Sequence, residues 1–413
     1  MRAACHGKGY GASGADSGGL GHQPGTNRDT QLDHRARCGP RGVRTSWQRS
    51  GGQTRATQPA DISTRQTLPV ERNFSQWAYW RLRHDLTPEP SLPPDGVDET
   101  WRTSVRVNLT DALGTWPEPV DPRLEVGDAV QEPYGHRRRV VFDTEQHMSV
   151  PAWLLEPTEP RPGRPAVVVV HGHGLDKDRV CGVVEPPDPG LDYGRQLAAA
   201  GLTVLAPDLR GFGERADGML LAEPTDDLVE NIVRHQADCG WDLVCATLTG
   251  TTPLTLNLWD LRRCVDVLGQ LPGTPVGSIG TAGWSYGGTL ALLLAALDER
   301  ISATVVSGYF SSWRAAHRTP WNLCGRQVLP GLIGTLEHTD IAALIAPRPL
   351  FIESGRDDTL FPVDAATASV ERTRSLYRSL GADPADVVHE VFAGGHEWQG
   401  DAAEAFLLEH LTD

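Results

Sequence analysis

The pentapeptide Gly283-Trp284-Ser285-Tyr286-Gly287 sets a serine between two glycines at the spacing of a nucleophile elbow. Before it, Pro275-Val276-Gly277-Ser278-Ile279 is a short, turn-bounded stretch suited to a buried strand, and after it Thr289 to Leu297 is a strong helix former. A serine on so tight a strand-to-helix turn has its Oγ pushed clear of the sheet. The flanking glycines are needed because a Cβ there would strike neighbouring backbone. The hydroxyl becomes a nucleophile only if a base takes its proton, and the base needs a carboxylate to fix its tautomer.

Both partners are expected downstream, each at the end of a strand. In Phe351 to Pro362, strand residues run into Gly355, and Asp357 and Asp358 follow. Asp358 is the preferred acid, because Gly355 three residues before and Pro362 four after suit a carboxylate turned inward from a tight loop. The alternative is that both aspartates belong to a solvated turn. In Val391 to Trp398, the pair Gly394-Gly395 lets a loop fold close to the serine and carry His396 over it as base. His389, on the strand itself, is less well placed. The negative charge of the attacked carbonyl needs two N–H donors, each contributing about 3–4 kcal/mol in the transition state. Tyr286 supplies one from its backbone, and His173 in His171-Gly172-His173-Gly174 is the candidate for the other. Trp284, Tyr309, Phe310, Trp313, Trp321 and Trp398 are candidates for an aromatic substrate pocket, against the alternative of ordinary core. Arg210, in Ala206-Pro207-Asp208-Leu209-Arg210-Gly211, is expected to bridge carboxylates that hold the loops rather than to touch substrate. No third ligand is placed beside the pair His171 and His173, so neither a metal nor a cofactor is expected.

The elements that must position these residues alternate between strand and helix. Arg138–Phe142 and Val150–Leu155 read as a hairpin, and Ala166–Val170 is a continuous apolar run expected to be a strand buried on both faces. Helix Leu191–Ala200, strand Leu202–Ala206 and helix Leu256–Leu271 precede the elbow. Strands Ile301–Val306, Pro349–Glu353 and Val387–Phe392 follow, with helices at 364–380 and 400–411. That alternation predicts an α/β protein with a mostly parallel central sheet flanked by helices. Residues 73–134 are expected to form a helical accessory or lid segment, with helices over 73–82 and 101–113, and residues 135–413 the main domain. The excursion 216–255 is a further lid candidate. Residues 1–72, rich in Gly, Arg, Ser, Thr and Gln and poor in apolar clusters, are expected to be disordered and carry no secretory signal.

Charge narrows the partners. Residues 1–72 carry 11 basic and 5 acidic side chains, whereas the whole chain is at −15. The acidic body excludes nucleic acid and anionic membrane as natural partners, and no apolar run approaches a membrane span. A small molecule is the expected partner, with a homo-oligomer left open. Seven cysteines without a Cys-x-x-Cys pair suggest free thiols and a cytoplasmic setting, the alternative being one disulfide such as Cys239–Cys245.

Taken in order, His171–Gly174, Asp208–Gly213, Gly283–Gly288, Gly355–Pro362 and Gly394–His396 resemble the α/β-hydrolase superfamily. The chain looks most similar to its dienelactone-hydrolase-like and acetyl xylan esterase-like members over roughly residues 135–412. The resemblance implies the α/β-hydrolase fold with an N-terminal helical accessory segment, and Ser285, Asp358 and His396 as nucleophile, acid and base. Dienelactone hydrolases proper carry cysteine where this chain has Ser285. Phe212 stands where the acetyl xylan esterases carry an amide. What is implied is therefore a serine esterase acting on a carboxylic ester of small or medium acyl size. Cleavage of an amide, peptide or C–C bond by the same residues is the rival within enzymes. A non-catalytic ligand-binding relative is the rival outside them.

Overall fold

The computed structural model describes residues 75–93, 96–184, 190–216, 239–270, 278–316, 322 and 324–412. The expected disordered segment 1–72, most of the lid candidate 216–255 and Trp321 lie outside these residues. Two helices come first, α1 (Gln76–Leu86) and α2 (Glu99–Leu113). Ser75 caps α1 by accepting from the Ala78 N–H, and Asp98 caps α2 by accepting from the Trp101 N–H. Only α2 is anchored by burial, through Val105, Leu109 and Leu113 along one face.

Strand β1 (Glu125–Glu132) then opens a nine-stranded sheet. It lies in the segment 73–134, beyond the two helices expected there, where the sequence assigns no element. Its side chains are almost all exposed, so no apolar alternation marks it, and its pairing with β2 (Gly135–Glu145) defines it instead. Strand β2 pairs antiparallel with β3 (Met148–Pro157), a hairpin longer at both ends than the sequence suggests. The remaining strands are β4 (Ala166–Val170), β5 (Thr203–Pro207), β6 (Ile279–Trp284), β7 (Ile301–Ser307), β8 (Leu350–Gly355) and β9 (Val387–Phe392). Their order is β1-β2-β3-β5-β4-β6-β7-β8-β9, and every pairing from β5 to β9 is parallel. The elbow strand thus starts at Ile279, where the expected one ended.

Strand β4 explains how the sheet is held. All five of its residues are buried. Ala166, Val168 and Val170 face one apolar cluster, and Val167 and Val169 face a second on the opposite side. Each fully buried valine contributes about 1.5–3 kcal/mol relative to exposure, so a polar residue on either face would be costly. The first face is covered by α2, α5 (Pro253–Leu268), α6 (Tyr286–Leu297) and α9 (Val363–Ser379), and the second by α4 (Tyr193–Ala199) and α10 (Asp401–Leu411). Short helices α3 (Lys177–Val180), α7 (Trp313–Ala316) and α8 (His338–Ala343) complete the set, with a further helical run at 239–248. Helix α5 begins three residues earlier than the expected Leu256, because Thr252 caps it and Pro253 fits its first turn. No described helix is long and apolar enough to cross a membrane.

Candidate active site

In a parallel sheet the carboxyl ends of neighbouring strands share one edge, where their loops converge. Strand β6 delivers Ser285 to that edge. Its backbone sits at φ 56° and ψ −116°, a positive φ that a side chain rarely adopts, and its N–H donates to the Ser307 carbonyl at 2.9 Å. Glycines make the turn sterically open. A methyl on Gly283 would strike the Gly287 carbonyl, and one on Gly287 would strike the carbonyls of Val170 and His171. The elbow therefore presses directly on the loop that leaves β4.

The loops after β8 and β9 bring the other two groups. His396 Nε2 lies 2.9 Å from Ser285 Oγ, and His396 Nδ1 lies 2.8 Å from Asp358 Oδ2. Asp358 is buried, and its second oxygen accepts from the N–H groups of Leu360 at 2.7 Å and Phe361 at 3.0 Å. Four acceptances on one carboxylate would be ordinary in water. Here three protein donors fix its plane so that one oxygen faces the imidazole. Asp357 is exposed and uses its N–H to bind the Gly394 carbonyl at 2.8 Å. The two loops interlock by backbone: Arg356 N–H donates to the Phe392 carbonyl at 3.0 Å, and no Cβ would fit on Gly355 beside the Gly395 carbonyl. His389 stays on β9 with Nε2 3.1 Å from Ser354 Oγ, and burial pushes it down to about 4.

Beneath the histidine loop lies a residue that the sequence marks only as part of a strand. Glu353 is fully buried at the end of β8. One oxygen accepts from Ser307 Oγ at 2.6 Å and from Gln399 N–H at 3.2 Å; the other accepts from Gly400 N–H at 2.8 Å. Burial raises its carboxyl above the usual range despite these donors. The carboxylate ties the end of β7, behind the elbow, to the chain just after His396.

The His171–Gly174 loop is held by a different network. His171 is buried, accepts the Leu209 N–H at 3.0 Å through Nε2, and is pushed down by burial. Asp208 accepts the N–H groups of Lys177 at 2.8 Å and Glu214 at 2.9 Å, and pairs with Lys177 Nζ at 3.0 Å. Arg210 grips Asp260 through two bonds of 2.8 Å and Glu145 through one of 2.7 Å, the carboxylate-bridging role expected of it. The sequence places no further ligand beside His171 and His173, but the fold brings two cysteines to His173: Cys239 Sγ lies 3.5 Å from its Nε2 and Cys324 Sγ 3.4 Å from its Nδ1. Cys239 is held below the usual thiol range, chiefly by the Cys324 thiol and then by His173, while burial pushes Cys324 well above it. Cys239 and Cys245 are both free thiols, so the suggested disulfide between them is absent.

The aromatic candidates divide. Trp284 lies against the His396 ring, with centroids 4.9 Å apart. Phe361, not foreseen, stacks on the same ring at 5.7 Å, and Tyr309 packs on Phe361 at 5.4 Å. Trp398 is instead core, stacked at 4.4 Å on Tyr193, and Trp313 is core, edge-on to His338 at 4.1 Å. Tyr286 turns its ring inward, where its hydroxyl accepts from Asn257 at 3.1 Å, leaving its backbone N–H in the first turn of α6.

Known proteins share this frame. A family model described as the alpha/beta hydrolase fold matches residues 165–323. The chain is 28% identical over 287 residues to YtaP of Bacillus subtilis (strain 168), a protein provisionally named a hydrolase, covering 68% of this chain and 89% of that one. Among solved structures, a provisionally named acetyl xylan esterase from Bacteroides fragilis superposes with a TM-score of 0.61 at 17% identity, covering 79% of this chain and 84% of that one. A glucuronoyl esterase from Solibacter usitatus superposes with a TM-score of 0.54 at 15% identity, covering 78% and 98% respectively. Strand order, elbow and family model agree, and the chain has the alpha/beta hydrolase fold.

Proposed function

We propose that this protein is a serine hydrolase that cleaves carboxylic esters through an acyl-enzyme intermediate. The observation that carries the reading is the continuous hydrogen-bonded run from Ser285 Oγ through His396 to Asp358. Ser285 attacks the ester carbonyl as His396 Nε2 takes its proton, and Asp358 holds Nδ1–H and stabilises the imidazolium. The oxyanion is received by the backbone N–H groups of Tyr286 and His173. His396 then protonates the leaving alcohol, activates a water, and the acid is released. Ester rather than amide is favoured by the structural neighbours, which are named acetyl xylan and glucuronoyl esterases. Trp284 and Phe361 both pack against the histidine and suit a small or medium acyl group. Residues 135–413 would be the catalytic domain and residues 73–134 an accessory segment carried on it, working in the cytoplasm where the thiols stay reduced.

A fluorophosphonate probe tests the reading directly. One adduct per chain, on Ser285, is expected. Ser285→Ala should abolish labelling and lower kcat on p-nitrophenyl acetate by about 10⁴- to 10⁶-fold with the fold intact. An unlabelled wild-type chain, or a variant losing only tenfold, would sink it.

A further inference from the structure

His173, Cys239 and Cys324 come from three separate segments: the loop after β4, the helical run 239–248 and the loop after α7. Both cysteines are buried, and one ligand atom from each of the three residues lies within 4.8 Å of the others. We propose that these three side chains form a binding site for a single borderline-soft divalent ion, with Zn²⁺ the best fit.

The donor chemistry selects the ion. One imidazole and two thiolates suit zinc, whereas calcium and magnesium demand oxygen ligands. The spacing agrees. Zinc–sulfur bonds of about 2.3 Å and zinc–nitrogen bonds of about 2.0–2.1 Å at tetrahedral angles put nitrogen and sulfur about 3.6 Å apart. The N···S separations here are 3.4 and 3.5 Å. They involve different ring nitrogens, so an ion takes one nitrogen, finds both sulfurs within the 4.8 Å that bounds the cluster, and draws the farther one in on binding. The surroundings supply what a thiolate ligand requires. The Arg326 N–H points at Cys324 Sγ from 3.4 Å, and the Arg326 guanidinium, paired with Asp242, lies near Cys239. On binding, the thiols enter as thiolates and release their protons to solvent. Three protein ligands leave one tetrahedral position for water. The ion would pin the His171–Gly174 loop to the two segments beside it.

The test uses the full chain, reduced and stripped of metal, and needs no activity measurement, so it stands or falls apart from Ser285 labelling. Zn²⁺ titrated against a chromogenic chelator should bind at one equivalent and raise the Tm. Co²⁺ in its place should give a sulfur-to-cobalt charge-transfer band and the intense visible bands of a four-coordinate site. Cys239→Ser and Cys324→Ser should each remove stoichiometric uptake, with circular dichroism checking the fold, while Cys245→Ser, on the same helical run but exposed, keeps it. The wild-type cobalt spectrum decides the matter even if a serine variant fails to fold. The proposal is overturned by the absence of stoichiometric uptake, by a cobalt spectrum without sulfur charge transfer, or by uptake unchanged in both serine variants. It is equally overturned if Cys239 and Cys324 are isolated as a disulfide and take up no metal after reduction.

Discussion

Two neighbouring aspartates show how much one residue's surroundings decide. Asp357 and Asp358 are chemically identical, yet Asp357 is exposed while Asp358 is buried, receives two backbone N–H groups and faces His396. Asp358→Asn should therefore lower kcat by about 10⁴-fold, because the Leu360 and Phe361 N–H groups claim the amide oxygen and the NH2 then faces Nδ1, which selects the wrong tautomer. Asp357→Asn should change kcat less than threefold, since its role is carried by its backbone. Parallel kcat measurements on the two variants check the pair, and equal losses would reassign the acid.

At the scale of elements, the loops matter through what holds them. Glu353 joins the end of β7 to the residues after His396, so Glu353→Ala would strand Ser307 Oγ and two N–H groups in a buried site. A loss of about 2–4 kcal/mol in unfolding free energy is expected, with kcat down by up to about 100-fold from a misplaced histidine and KM little changed. Glu353→Gln keeps an oxygen acceptor and should recover part of both, as denaturant titration and steady-state kinetics would show. What the sequence reveals follows the same logic. The elbow and the acid loop are legible because close backbone approach demands glycine at Gly283, Gly287 and Gly355, a local mark. Strand β1 leaves no mark, since its exposed side chains are set by a partner strand rather than by a core. The cysteines around His173 are illegible for another reason: they lie 66 and 151 residues away and meet it only through the fold.

For the whole molecule, stability should carry a pH signature from the segment that follows α7. Glu337 caps α8, accepts the N–H groups of Trp313 and His338 at 2.9 Å each, and is pushed up to about 7 by burial. A carboxyl with a raised native value binds its proton more tightly folded than unfolded. Stability is thus favoured below the ordinary value near 4.5 and declines as pH climbs from there towards about 7. This group alone accounts for a decline of about 3 kcal/mol between pH 4.5 and 8. Glu337→Gln should flatten that decline, and urea unfolding of both proteins at pH 5 and pH 8 measures it. Identical pH slopes would refute the assignment.

The backbone clasp between the loops after β8 and β9 has a mechanical corollary. With Arg356 and Asp357 hydrogen-bonded to the chain at Phe392 and Gly394, acid and base ride on one stiff raft. A change that loosens either loop is therefore felt by acid and base together, and not by one of them alone.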